Sequence, residues 1–265
     1  MKKGLLSILI VFLFFLSSCT YEMTYEELKS TYDEHLLEQQ SVYLERIAFL
    51  NELSSEWMKG VVRVKKTSSS LMSVSMGSGL IFDEDALYYY VLTNNHVIYD
   101  TQINQATFTI YDFQNNSYNA TFVVRDSAYD LAVLKVRKKV GTDLKVISFA
   151  KSPMSLNEEV TTMGYPEGQL NAVHTGVLLD YGPVQIDVSP DIINVTFDVM
   201  IAELPLKSGS SGSAAVNSRF ELVGLVFAGN FSNGKNLADY AFIIPINQVK
   251  TFLNNNALNY HEVAS

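Results

Sequence analysis

Three short patterns in this chain gather the residue types needed for nucleophilic chemistry. One is Lys207-Ser208-Gly209-Ser210-Ser211-Gly212-Ser213-Ala214-Ala215-Val216-Asn217. A serine between glycines lets the backbone turn tightly, so that two amides can point at one oxygen. Glycine- and serine-rich stretches are often linkers, but this one lies between strand-like runs deep in the chain, with Ala214-Ala215-Val216 following at once. Another is Leu92-Thr93-Asn94-Asn95-His96-Val97-Ile98, directly after the apolar run Tyr88–Leu92. A histidine at a strand end can present its imidazole to a cleft, although His96 taken alone also reads as a core or surface histidine. His35 and His261 fall in helix and tail, and His174 in a strand where a structural role fits. The last is Asp130-Leu131-Ala132-Val133-Leu134-Lys135-Val136, an acid at the head of an apolar strand. A buried carboxylate needs a partner, and a histidine N–H is one. A plain strand-start acid is the other reading, and Asp126 competes for the role without an apolar strand directly behind it. Together the three patterns supply a nucleophile, a base, a group to orient the base and donors for an oxyanion, the parts that amide hydrolysis requires.

The elements that must position them are strands. From Gly60 on, β-branched and aromatic runs alternate with turn residues: Val61–Val64, Gly79–Phe82, Tyr88–Leu92, Thr107–Tyr111, Thr121–Val124, Leu131–Val136, Val160–Gly164, Ile193–Phe197, Leu222–Phe227 and Tyr240–Ile244. Gln114–Ser117 and Ser232–Lys235 read as hairpin turns. So many short strands at this spacing predict an all-β sandwich or pair of barrels. Ahead of them, Thr24 and Glu27 have capping-box spacing, and no glycine or proline occurs from there to Trp57. Leu36, Tyr43, Ile47, Leu50 and Trp57 recur at helical intervals, which predicts a helix broken near Ser41, a stalk in preference to an oligomerisation helix. Asn247–Asn255 reads as a short closing helix.

Formal charge is −9 over 265 residues, with no basic block beyond Lys65-Lys66 and Arg137-Lys138-Lys139, so no nucleic-acid partner is expected. Neither His-x-x-x-His nor Cys-x-x-Cys spacing occurs, so no metal or cofactor is expected. Lys2 and Lys3 precede an apolar run, Leu5 to Leu16, of signal-peptide length and short for a membrane span. The run ends in Leu16-Ser17-Ser18-Cys19, which resembles the lipobox of bacterial lipoproteins. Cys19 is the single cysteine of the chain, so no disulfide framework exists and the one sulfur sits where a lipid would be attached. These readings divide the chain into a signal peptide (1–18), a lipid-anchored helical stalk (19–58), a catalytic domain (59–256) and a tail (257–265). They place it outside the cytoplasm, held at a membrane.

With these motifs in view, the chain resembles the HtrA (Deg) serine proteases of the chymotrypsin type. The likeness runs through Gly77-Ser78-Gly79-Leu80-Ile81-Phe82, the His96 and Asp130 segments, Met163-Gly164-Tyr165-Pro166-Glu167-Gly168, the Ser211 loop, Leu222-Val223-Gly224-Leu225 and Tyr240-Ala241-Phe242-Ile243-Ile244-Pro245-Ile246, all in family order. It implies two six-stranded antiparallel β-barrels between the N-terminal helix and the short C-terminal one. It also implies Ser211 as nucleophile, His96 as base, Asp130 as its orienting carboxylate, and the N–H groups of Gly209 and Ser211 as oxyanion donors. The residue six before the nucleophile, Pro205, would lie at the base of the pocket, with Val226, Phe227 and Ala228 as its wall. No acid is present there to hold a basic side chain, so an apolar, small-to-medium residue is expected before the cut in a protein or peptide substrate. The family's C-terminal PDZ domain is not expected after the last helix. Two positions depart from the pattern: Ser210 replaces Asp or Asn, and Ser213 replaces a second glycine. If that glycine needs a conformation closed to serine, the loop would be strained, and the alternative is an inactive lipoprotein that uses the fold as a binding or chaperone module.

Overall fold

The computed structural model describes residues 24–69, 72–169, 172–232 and 235–263. Cys19 and the proposed signal peptide lie outside the described residues, as do Asn233 and Gly234 of the second expected turn. The first helix, α1 (Tyr25–Ser55), begins at a true capping box. The Glu27 N–H donates to Thr24 Oγ1 at 3.3 Å, and the Thr24 N–H donates to Glu27 Oε2 at 2.8 Å. The helix runs unbroken through Ser41, contrary to expectation, because the Ser41 hydroxyl turns along the surface to Glu45 one turn on. Among the described residues, those up to Ala48 cluster as one unit and those from Phe49 on as another. Leu36 and Tyr43 are exposed. The last turns belong to the second unit, where Leu53 is fully buried and Phe49 and Trp57 stack on Phe220.

The second unit holds twelve strands: β1 (Val61–Ser68), β2 (Ser73–Glu84), β3 (Tyr88–Thr93), β4 (Ala106–Tyr111), β5 (Ser117–Asp126), β6 (Leu131–Arg137), β7 (Glu159–Gly164), β8 (Ala172–Gly182), β9 (Val199–Glu203), β10 (Ala214–Val216), β11 (Leu222–Ser232) and β12 (Lys235–Pro245). They close into two antiparallel barrels of six strands, in the orders β1-β2-β3-β6-β5-β4 and β10-β11-β12-β9-β8-β7. This is the expected architecture, completed by a one-turn helix α2 (Asn95–Ile98) and the closing α3 (Ile246–Asn255). Closure leaves neither sheet a free edge.

Each barrel has its own apolar filling: Val62, Val64, Val91 and Leu134 in the first; Val160, Leu178, Val226 and Ile243 in the second. A third cluster spans both, with Leu80, Phe82 and Leu131 of the first barrel beside Met163, Leu225 and Ile244 of the second. That shared core fixes one barrel against the other, and the catalytic candidates lie on the two sides of the seam. One strand was misread. Ile193–Phe197 lies in the β8–β9 loop, and the strand is Val199–Glu203. Ile193, Val195 and Phe197 alternate because they pack against the shared core, while the Asn194 N–H donates to the Ser127 carbonyl and to no neighbouring strand.

Candidate active site

His96 sits in α2 at the end of β3, and Asp130 immediately precedes β6, the neighbour of β3 in the first barrel. Adjacent strands therefore deliver both residues to one edge. Asp130 Oδ2 is 2.7 Å from His96 Nδ1, and Asp130 Oδ1 accepts the His96 backbone N–H at 2.9 Å. Both carboxylate oxygens thus serve a single residue. Asp130 holds a left-handed backbone conformation (φ +48°), costly for a non-glycine residue. Its carbonyl accepts from the Asn95 N–H (3.1 Å) and from Asn94 Nδ2 (3.0 Å), and its own N–H donates to Ser127. Asp130 is fully buried while about a quarter of the His96 side chain is exposed, so the ring faces the cleft and the carboxylate faces the protein. Burial pushes the Asp130 carboxyl above the usual value; the charge and hydrogen bonds of His96 and nearby backbone N–H groups oppose that rise.

The β8–β9 loop fastens the same segment from behind. Asn95 Nδ2 donates to the carbonyls of Ile192 (2.7 Å) and Asp191 (3.3 Å), and the Asn194 N–H reaches Ser127 (2.8 Å). In the sequence Asn95 is simply one of the small polar residues ahead of His96. Its partners lie nearly a hundred positions away, and no local pattern announces them.

Ser211 lies in the turn ahead of β10, in the second barrel. Gly209 and Gly212 on either side have φ of +88° and +86°. A side chain at 212 would also meet the Ser78 carbonyl at 1.9 Å, so both glycines are required by conformation and Gly212 by space as well. The N–H groups of Ser210, Gly212 and Ser213 donate to Lys207, Val226 and Ser210. Among the described residues, those of Gly209 and Ser211 meet no acceptor, which leaves the two expected donors available. Ser211 Oγ donates to the Phe227 carbonyl at 3.4 Å, a long bond for a hydroxyl, and not to His96.

Ser213 does not strain the loop. Its φ is not positive, its side chain is buried, and its Oγ donates to Ser78 Oγ at 3.3 Å. Space for it comes from Gly164 on β7, where a Cβ would fall 1.8 Å from Ser213 Oγ. The buried Ser210 hydroxyl accepts from the Lys207 N–H at 3.3 Å, closing the turn that an Asp or Asn would otherwise close.

A cleft of about 360 Å³ opens at the seam, lined by Ser75, Met76, His96, Leu206, Ser211 and Ala228, together with residues 207–210. Of the four residues expected to shape it, Ala228 does. Pro205 is exposed outside the lining, and Val226 and Phe227 are buried behind it. Leu206 takes the place expected of Pro205. Lys207 at the rim is paired with Glu167 at 3.2 Å. His174 lies in β8, where burial and the Lys207 charge lower its pKa.

Two linked barrels with a histidine–carboxylate pair on one and a glycine-flanked serine on the other define the trypsin-like peptidase architecture. Residues 77–225 match the family profile described as "Trypsin-like peptidase domain", and the chain belongs to that family. Among its relatives are "Serine protease HtrA-like" of Staphylococcus aureus (strain bovine RF122 / ET3-1), 25% identical over 211 residues, and "Serine protease Do-like HtrB" of Bacillus subtilis (strain 168), 30% identical over 176 residues. The alignments cover 73% and 65% of this chain but 26% and 36% of those relatives. They bear out the HtrA resemblance read from the motifs. In fold, the chain is similar to the active form of the Rv3671c protease from M. tuberculosis (TM-score 0.65, 22% identity, 82% of this chain and 89% of that one). It is also similar to the HtrA-type protease AlgW with tripeptide (TM-score 0.62, 22% identity, 79% and 64%).

Proposed function

We propose that this chain is a serine endopeptidase acting on protein or peptide substrates, with Ser211 as nucleophile, His96 as general base and then acid, and Asp130 as the carboxylate that fixes the ring. The observation that carries the reading is the 2.7 Å His96–Asp130 bond facing a serine loop whose only unsatisfied N–H groups from Gly209 to Ser213 are the two an oxyanion needs. Asp130 holds the proton on Nδ1, which leaves Nε2 as the acceptor. Rotation about χ1 turns Ser211 Oγ from its weak bond with Phe227 toward that nitrogen. Oγ then attacks the scissile carbonyl as its proton passes to Nε2, and the resulting oxyanion is held by the Gly209 and Ser211 N–H groups. Collapse breaks the C–N bond, His96 gives its proton to the departing amine, and an ester on Ser211 remains. Water, deprotonated by His96, releases the acid and restores Ser211.

Leu206 and Ala228 make an apolar wall with no acid in the lining, which supports a small-to-medium apolar residue before the cut. A fluorophosphonate probe tests the reading: the folded protein should be labelled and Ser211→Ala should not. Absent or equal labelling of the two would refute it.

The N-terminal pattern ending at Cys19 supports an extracytoplasmic lipoprotein cleaved before that cysteine, and the HtrA relationship fits such a location. Metabolic labelling with an alkyne fatty acid should mark the full chain and leave Cys19→Ser unmarked; equal marking would refute lipidation.

A further inference from the structure

We propose that Ser78, in the Gly77-Ser78-Gly79 stretch in the middle of β2, is a positioning residue that sets the oxyanion donors from the opposite barrel. The inference rests on the peptidase reading above. Ser78 is fully buried and belongs to the first barrel, yet it bonds both residues whose N–H groups form the oxyanion site. Its Oγ donates to the Gly209 carbonyl at 2.9 Å, and its N–H donates to the Ser211 carbonyl at 2.7 Å. A hydroxyl has one proton and two lone pairs. The proton goes to Gly209, and the lone pairs accept from the Tyr165 N–H (2.9 Å) and Ser213 Oγ (3.3 Å), so every valence is used. The Ser78 carbonyl in turn accepts from Thr93 Oγ1 at 2.7 Å, three residues before His96.

The geometry explains why these bonds matter. In a trans peptide the N–H points opposite to the preceding carbonyl. The Ser208 carbonyl accepts from the Glu167 N–H at 2.6 Å, which turns the Gly209 N–H away from Glu167. The Ser210 carbonyl accepts from the Ser213 N–H at 2.9 Å, which does the same for the Ser211 N–H. Between these two units, the orientation of the Gly209–Ser210 peptide decides whether the donors converge. Glycine at φ +88° has wide freedom there. That peptide is held on one side by the Ser210 N–H, which donates to the Lys207 carbonyl at 3.0 Å, and on the other by Ser78 Oγ, the one side-chain bond to the Gly209 carbonyl. Of the bonds that hold carbonyls 208 to 211, it is also the only one that a point substitution can delete without changing the backbone.

The test compares wild type, Ser211→Ala, Ser78→Ala and Ser78→Cys in hydrolysis of a fluorogenic peptide and in binding of a peptide boronic acid, with thermal melting as a check on folding. Ser78→Ala should lose about 10- to 100-fold in kcat with KM within about twofold, less than the roughly 100- to 1,000-fold that loss of an oxyanion donor costs. Its affinity for the boronic acid should fall by the same factor as kcat/KM, and the acid limb of its pH profile should stay where it is. A purely structural role would not produce that parallel. Should Ser78→Ala melt below the assay temperature, Ser78→Cys is read in its place; with a weaker donor at the same position it should lose about tenfold. Native kcat in a folded Ser78 variant, or a loss confined to KM, overturns the inference while the peptidase reading stands. No Ser211-dependent turnover by wild type overturns both.

Discussion

Replacing Asp130 with asparagine separates proton placement from shape. Asp130 spends both oxygens on His96, Oδ1 on the backbone N–H at 2.9 Å and Oδ2 on Nδ1 at 2.7 Å. A backbone N–H can only donate, so the asparagine oxygen must take the Oδ1 place and its NH₂ group falls opposite Nδ1. Nδ1 then has to accept, the ring proton moves to Nε2, and the nitrogen that should receive the Ser211 proton is blocked. In a Ser-His-Asp triad this exchange costs about 10⁴-fold in kcat, or about 5.4 kcal/mol at roughly 1.36 kcal/mol per factor of ten. Asp130→Asn should show that loss in hydrolysis of a fluorogenic peptide, with KM changed by less than about threefold. Asp126→Asn is the control. The Asp126 carboxylate only caps its own turn, accepting from the Ala128 N–H at 2.8 Å, so turnover should stay within about threefold of wild type. An Asp130→Asn enzyme within tenfold of wild type, or an equal fall in Asp126→Asn, would refute the assignment.

Burial raises the Asp130 carboxyl above its unfolded value, so its contribution to stability is full below the unfolded value of about 3.9 and is lost as pH rises through the folded one. In urea titrations Asp130→Asn should therefore gain stability relative to wild type as pH climbs across that window; a relative loss would show the sign to be wrong. Gly164→Ala sets a Cβ 1.8 Å from Ser213 Oγ and should cost about 3 kcal/mol. Adding Ser213→Gly should return at least about 1 kcal/mol, and strict additivity in the double-mutant cycle would contradict the shared space. Asn95→Ala gives up two bonds to the β8–β9 loop and should lose about 1–2 kcal/mol in chemical denaturation. Asn95→Asp should lose more, since it turns a carboxylate on the Asp191 and Ile192 carbonyls, and equal losses would count against the clamp.

The three chemical motifs were legible because each is local: a strand end, a strand head and a glycine-rich turn. Strands failed to show where their composition worked against them. Gly176 interrupts β8, yet a side chain there would meet the Glu203 carbonyl at 1.9 Å, so the apparent breaker is what lets two strands approach. β10 is three residues long and merges into the serine loop. Counting six residues back from Ser211 points to Pro205, but Leu206, buried where Pro205 is exposed, is the residue that lines the cleft. The doubt over Ser213 could not be settled locally either, because the glycine that accommodates it lies on β7, far away in sequence. The fittings of Ser78 and Asn95 belong to the same class, since their partners are chosen by the fold.

The seam between the barrels also sets a timetable for the chain as it is made. His96 and Asp130 come from strands of the first barrel, which is complete once β6 has emerged. The Gly212 N–H waits for the Val226 carbonyl on β11, and the second barrel cannot close until β12 pairs with β9. On the proposed reading, the strands that carry the base thus precede in the chain those that shape the nucleophile's loop, and the clamp of Asn95 on the Asp191 and Ile192 carbonyls ties the two halves together.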